Sequence, residues 1–390
     1  MSKKLKRRPF GRTGHYVTEI SLGAMNLRLL NSKEDGMELV DYALDAGINL
    51  IDTARGYNST KPNGTLIESE VIIGETIRRR KCEEPIIIIT KGHGYNPSAF
   101  DEELAVSLSK LGIIGKKSLK IGDNDIKLVY FFHGLSGERW QEMKDTGVLD
   151  YATKKQEEGY FDYLGFSSHN GHEAVIKEAI QTGLFQVVEL PYSVFAPSFG
   201  KYSPDHGNLM ELAVRYGMAV INMKAFGGNG MISKTKIFKD YCDISPQKRL
   251  LYCLSNPNIT TVDAGCKYIE ELKSDIETSF LKRFTVKECE ELEQTAKKVT
   301  ECINSVCREC THCLEKFTCP QGLNFPEVLA VHTKWKLSVA FDHDIEKVIV
   351  EYRKLEQNAE ICIQCGLCNE WCEYKLDIPT LLKEVHENLC

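Results

Sequence analysis

Four residues combine reactive side chains with positions where such side chains have no local structural use: Asp52, Tyr57, Lys91 and His133. Asp52 lies in the run Asn49-Leu50-Ile51-Asp52-Thr53-Ala54, whose apolar character is that of a short strand buried on both faces. A carboxylate at the end of such a strand costs free energy unless it is paired. Lys91 ends Ile86-Ile87-Ile88-Ile89-Thr90, and His133 ends Val129-Tyr130-Phe131-Phe132. Tyr57 sits in the loop just beyond Asp52. A lysine beside an aspartate makes an ion pair, and a cation beside a phenol favours the phenolate, lowering a tyrosine pKa from its usual ~10. The set predicts Tyr57 as a proton donor near neutral pH, tuned by Lys91 and Asp52, with His133 hydrogen-bonded to a substrate oxygen.

A second chemistry sits in the last 90 residues, which hold ten of the 15 cysteines. Cys307, Cys310, Cys313 and Cys319 form one run. Cys362, Cys365, Cys368 and Cys372 form the other. Three thiolates at C-x2-C-x2-C with a more distant fourth is the bacterial ferredoxin arrangement for a 4Fe–4S cube. A zinc site more often shows two separate C-x2-C pairs. The runs are followed by an internal echo, in which Cys319, Leu323, Phe325 and Pro326 parallel Cys372, Leu376, Ile378 and Pro379. The echo predicts two clusters with crossed ligation, Cys372 completing the first and Cys319 the second. Cys302 and Cys390 are spare.

Eight strands are needed to position the four reactive residues as read. Short apolar runs fall at residues 19–25, 49–55, 85–91, 126–133, 163–169, 186–193, 218–226 and 259–265, each followed by a helical pattern. This count matches an α/β fold of the (β/α)8 barrel type, whose active site lies at the carboxyl ends of the strands. A doubly wound sheet would usually offer a G-x-G-x-x-G turn after its first strand, and Asn26-Leu27-Arg28-Leu29-Leu30 stands there instead. Residues 3–17 are expected as a hairpin closing the bottom of the barrel, and residues 114–125 as a loop. The barrel domain is expected over 1–284. A mainly helical, ferredoxin-like iron–sulfur domain with a connecting helix is expected over 285–390.

The motifs Phe10-Gly11-Arg12-Thr13-Gly14, Gly47-Ile48-Asn49-Leu50-Ile51-Asp52-Thr53-Ala54, Ile89-Thr90-Lys91, Phe132-His133-Gly134, Leu164-Gly165-Phe166-Ser167-Ser168-His169 and Asn222-Met223-Lys224 resemble those of the aldo-keto reductases over roughly residues 5–280. The tail resembles that of the subset carrying two 4Fe–4S clusters. The resemblance implies an oxidoreductase that transfers a hydride between NADPH or NADH and a small carbonyl or alcohol, with Tyr57 as general acid and Asp52, Lys91 and His133 completing its tetrad. It implies cofactor contacts at Ser167, Ser168, Glu189, Lys224, Gly227, Gly228, Gly265, Lys267 and Asp275. Three of these depart from the family pattern: Ser168 and Asp275 replace Asn, and Glu189 replaces Gln. An ionised glutamate accepts but does not donate hydrogen bonds. Two other functions compete. In one, a ferredoxin or similar carrier replaces nicotinamide as the electron source. In the other, the barrel only binds and the tail is structural. No flavin signature is visible.

Composition sets outer limits. The chain has 390 residues, 42% hydrophobic and 27% charged, with a net charge of −6. That balance argues against a nucleic-acid partner. No apolar run reaches the ~18 residues of a membrane span. The basic start, Lys3 to Arg8, leads into Pro9 and Gly11, unlike a secretory signal, so the expected compartment is the cytoplasm.

Overall fold

A computed structural model describes residues 4–228 and 230–390. The basic start up to Lys3, and Asn229 of the glycine-rich loop, lie outside the described residues. Thirteen strands are present among them. β1 (Arg7–Pro9) and β2 (Tyr16–Thr18) form an antiparallel hairpin. β3 (Ile20–Gly23) and β4 (Leu50–Asp52) come next, followed by a second hairpin of β5 (Asn58–Thr60) and β6 (Leu66–Glu68). Then come β7 (Ile86–Gly92), β8 (Leu119–Ile121), β9 (Asn124–Leu135), β10 (Tyr163–Ser168), β11 (Val187–Pro191), β12 (Ala219–Met223) and β13 (Thr261–Ala264).

Eight of these are parallel neighbours in the order β10-β11-β12-β13-β3-β4-β7-β9, and β9 pairs back onto β10. The sheet is thus a closed (β/α)8 barrel without free edges. The helices between strands are stopped by local chemistry. Ser32 and Asp35 make a capping box at the start of Lys33–Asp45. Asn96 caps Pro97–Leu111, which ends on left-handed Gly112.

Alternate residues of a strand face the same side. In the barrel interior that alternation packs Leu50, Ile87, Ile89, Val129, Phe131, Val187, Ala219 and Ile221 into one core. Phe10 and Val17, on and beside the amino-terminal hairpin, belong to the same core, so the hairpin plugs the barrel as expected. Gly11 makes that plug fit. It is left-handed (φ +55°), and a Cβ there would lie 2.5 Å from the Ala219 nitrogen. Moving two residues along from the core positions reaches Asp52, Lys91 and His133 toward the carboxyl ends of their strands and Glu189 in the middle of β11.

Two expectations need correction. Residues 114–125 are not a loop: β8 folds back antiparallel on the start of β9 around Gly122. The alternation Leu119-Lys120-Ile121 and the left-handed glycine (φ +59°) carry this hairpin. The division of the chain also differs. One compact unit takes in the chain up to Gly227 together with Arg249–Thr285. The other is Gly228–Lys248 with Val286–Cys390. The segment after β12 therefore groups with the tail. There Phe238 meets Phe341 edge-on at 6.3 Å, and the Tyr241 carbonyl is 3.1 Å from His343 Nε2.

In the second unit, helices Phe325–Ala340, Glu346–Arg353 and Ile378–Leu389 bury Val328, Leu329, Val348, Tyr352, Leu382 and Val385 in a core of their own. Phe325 and Ile378, which correspond in the sequence echo, both begin helices with proline next. Among the described residues, no helix is long and apolar enough to cross a membrane.

Candidate active site

Lys91, on β7, is 1% exposed, and so is Asp52 on β4. The Lys91 ammonium hydrogen-bonds both oxygens of Asp52 and donates to the Thr53 carbonyl at 3.1 Å. Adjacent strands with inward-facing ends bring these two together. The same ammonium lies 3.5 Å from Glu189 on β11 and 5.4 Å from the centre of the Tyr57 ring. Tyr57 in turn meets His133 edge-on, with ring centres 6.1 Å apart. The structure therefore brings all four candidate residues to one mouth of the barrel.

The electrostatics of this mouth follow from burial. Burial alone would discharge Lys91, but Asp52 and Glu189 hold its pKa above the ordinary lysine value. Burial also raises Asp52, against the pull of Lys91. The expectation that Lys91 brings the Tyr57 phenol down toward neutrality is not met in the protein alone. Burial raises the Tyr57 pKa, and Asp52, Glu189 and Asp263 add to the rise, together outweighing Lys91. Burial and the neighbouring Lys91 depress the His133 pKa to about 3, so its imidazole is neutral.

The residues expected at the cofactor divide into several groups. Ser167 faces inward, its hydroxyl accepting from the Gly134 N–H at 2.9 Å. Ser168 is fully buried and donates to the Leu135 carbonyl at 2.7 Å. Glu189 stands beside Lys91. Lys224 is exposed, left-handed (φ 61°), and 3.3 Å from His169 Nδ1. Gly227 (φ 98°) and Gly228 (φ 59°) take conformations that favour glycine. The Gly265 carbonyl accepts from Asn26 at 2.7 Å, and the Lys267 side chain is exposed. Asp275 is turned inward, 3.5 Å from the Cys266 sulfur, and burial pushes its pKa up to about 7.

The tail cysteines line two cavities. Cys307, Cys310 and Cys313 share one with Cys372, and Cys362, Cys365 and Cys368 share the other with Cys319. Each set takes three cysteines from one run and the fourth from the other. The loops also repeat their backbone. Glu309 and Thr311 are left-handed, as are Gln364 and Gly366 at the same offsets from Cys307 and Cys362. Gly322 and Lys375 are left-handed three residues after Cys319 and Cys372. Non-glycine residues in this region cost roughly 1–2 kcal/mol each. Four of them at matched positions mark a conformation held for a purpose. Among the described residues, no three cysteine sulfurs lie within 4.8 Å of one another.

The family model for the aldo/keto reductases matches residues 19–305. The chain belongs to the aldo/keto reductase family. It is an enzyme of the oxidoreductase type. An uncharacterized Bacillus subtilis oxidoreductase, YqkF, is 24% identical over 315 residues, covering 75% of this chain and 97% of that protein. The NADH-specific methylglyoxal reductase of Escherichia coli is 26% identical over 220 residues, 49% of this chain and 60% of that one. Among solved structures, the holo form of aldo-keto reductase AKR11C1 from Bacillus halodurans superposes with a TM-score of 0.57 at 21% identity, covering 75% of this chain and 96% of that one. That likeness supports the barrel fold. The family match ends before Cys307, so both cysteine runs of this aldo/keto reductase lie outside it.

Sequence reasoning missed Asp263. Its carboxylate lies with those of Asp52 and Glu189, ligand atoms within 4.8 Å of one another. The signal was present: an aspartate inside Thr261-Val262-Asp263-Ala264 is the same anomaly as Asp52. It also missed His93, whose ring stacks on His133 at 4.7 Å, and Tyr95, whose hydroxyl donates to the His133 carbonyl.

A depressed His133 pKa has a direct consequence. The His133 ring resonances should not titrate between about pH 5 and pH 8 in nuclear magnetic resonance spectra. The unfolded chain takes up a proton near pH 6.5 that folded His133 does not, so stability should fall as the pH drops toward about 3. A His133 midpoint between 6 and 7 would contradict the half-buried, neutral imidazole.

Proposed function

We propose that the barrel mouth reduces a small carbonyl compound, or oxidises the corresponding alcohol, with Tyr57 as the proton donor or acceptor. The observation that carries this reading is the convergence of Tyr57, His133 and the buried Lys91–Asp52 pair at the strand ends. The donor set there suits a nicotinamide nucleotide, NADPH or NADH, which when bound supplies the hydride. Ser167 and Glu189 offer polar atoms on the inward row, and the left-handed Gly227 turn lets backbone approach a phosphate. Lys224 and Lys267 offer charge for the nucleotide's phosphates.

The chain's own residues do the rest. Burial keeps the Tyr57 phenol protonated at neutral pH, so the acid form is the resting form. As negative charge grows on the substrate oxygen, Tyr57 delivers its proton there, and the ammonium of Lys91 stabilises the phenolate left behind. Asp52 holds that ammonium in place. Neutral His133 donates an N–H hydrogen bond to the same oxygen without bringing a charge that would compete with Lys91. Buried strand ends around the site keep water away.

We read the two cysteine-lined cavities as sites for two 4Fe–4S clusters, ligated by Cys307, Cys310, Cys313 and Cys372 and by Cys362, Cys365, Cys368 and Cys319. Each cavity offers four thiols, and the one around Cys307 is also lined by His312 and Glu373, which face each other at 3.0 Å. A single zinc ion holds thiolates at ~2.3 Å, which draws the sulfurs closer together than these stand. A larger inorganic group suits the wider spacing. The clusters, when bound, carry single electrons, and an external carrier such as a ferredoxin is the partner that fits them.

Two measurements test these readings. Tyr57→Phe should lower turnover ~10²–10⁴-fold, with nicotinamide binding retained. A panel built on methylglyoxal and aryl alcohols, named for relatives of this chain, is the place to look for turnover. A variant that keeps more than half of wild-type turnover would refute the acid role. Anaerobic protein should contain about eight irons and eight sulfides per chain, falling by about half when Cys365 is replaced by Ser. Zinc without sulfide would refute the clusters.

A further inference from the structure

Asp263 is the acid that the tetrad does not use. It projects from β13 into the mouth, where its hydroxyl partner is Ser21 on β3, at 3.3 Å. Space for it depends on Gly23: a Cβ there would stand 2.7 Å from the Asp263 carboxylate. The charged and titratable groups facing it are Glu189 from β11, Asp52 from β4, Lys91 from β7 and Tyr57 from the loop after β4. Cys266, three residues on, and Asp275 behind it complete the surroundings. Lys91 is the one cation among them, and both oxygens of Asp52 already hold it. Three carboxylates against one ammonium cannot all be ionised without a large cost where two of them, Asp52 and Glu189, are buried and Asp263 is half-buried. Burial and the charge on Glu189 push the Asp263 pKa up to about 7, with Lys91 and Ser21 pulling the other way.

We propose that Asp263 is a positioning residue for Tyr57, a carboxyl that exchanges a proton with bulk water across from Lys91 and so sets the charge the phenol faces. The proposal rests on the reading of Tyr57 as the general acid. With Asp263 protonated, the group Asp52, Lys91, Glu189 and Asp263 carries one fewer negative charge. Releasing that proton adds a charge whose direct effect on Tyr57 is to raise its pKa. The phenol then becomes a weaker acid, and carbonyl reduction slows. No bond other than the O–H of Asp263 is made or broken in this step.

Infrared difference spectroscopy on the full-length protein, titrated from about pH 5 to about pH 9, reads the proton directly and needs no substrate. The expected result is protonated-carboxyl C=O intensity that is lost with a midpoint near 7, of which the Asp263 share is missing in Asp263→Asn while the share of Asp275 remains. Glu189→Gln removes a charge that opposes ionisation, so it should move the midpoint down. Ser21→Ala removes a hydrogen bond that favours ionisation, so it should move the midpoint up. Asp263→Glu should restore a titrating band. A wild-type protein without such a band, or a band unchanged in Asp263→Asn, overturns the proposal. In turnover, wild-type kcat should fall severalfold from about pH 6 to about pH 8, and Asp263→Asn should be flat over that window. An equal fall in both would also overturn it. If the Tyr57 reading is wrong, the infrared titration still stands, so the two failures are distinguishable.

Discussion

The barrel mouth depends on one interaction, the ion pair between Lys91 and Asp52. Both groups are buried, and neither would stay charged alone. Removing one partner of such a pair commonly costs 3–5 kcal/mol, because the other is left uncompensated. Parallel strands make the pair available. β4 and β7 are neighbours in the sheet, and their inward rows bring residue 52 and residue 91 to the same end. The remaining features of the mouth are responses to this pair. The ammonium sits near the Tyr57 ring, helps to keep His133 neutral and draws Glu189 to within 3.5 Å.

Much of the site was legible because burial makes polar residues conspicuous. Asp52, Lys91 and His133 each interrupt an apolar run at its carboxyl end, and a closed barrel gives that end a common location. Asp263 carried the same mark but sits in a strand of two threonine- and valine-type residues, where one polar residue draws less notice. The direction of the Tyr57 shift was not legible. A sequence shows that a cation is near a phenol, but not that three carboxylates gather around the cation or that the half-buried ring faces them. The grouping of Gly228–Lys248 with the tail was hidden for a similar reason. Phe238 and Tyr241 are apolar anchors whose partners, Phe341 and His343, lie about a hundred residues further on.

The tail shows a different kind of legibility. Its echo is written in residue types, and the structure repeats it in backbone angles. Glu309 and Gln364 occupy equivalent left-handed positions, although neither is the glycine that favours them. Thr311 and Gly366 differ in type and share the conformation. A loop that wraps a compact inorganic group must turn sharply between ligands, and the turn matters more than the side chain that makes it. The packing of Cys307, Cys313, Cys319, Cys362 and Cys372 against the core of the second unit ties those loops to its helices.

Hydride transfer at the barrel mouth is tested most directly by the origin of the hydrogen delivered to carbon. The measurement is mass spectrometry of the alcohol formed when anaerobic, full-length enzyme reduces a carbonyl compound with nicotinamide cofactor deuterated at ring carbon 4. The expected product carries one deuterium on the carbinol carbon and none exchanged from solvent. Product whose carbinol hydrogen comes from water, with electrons drawn from another donor, would contradict hydride transfer.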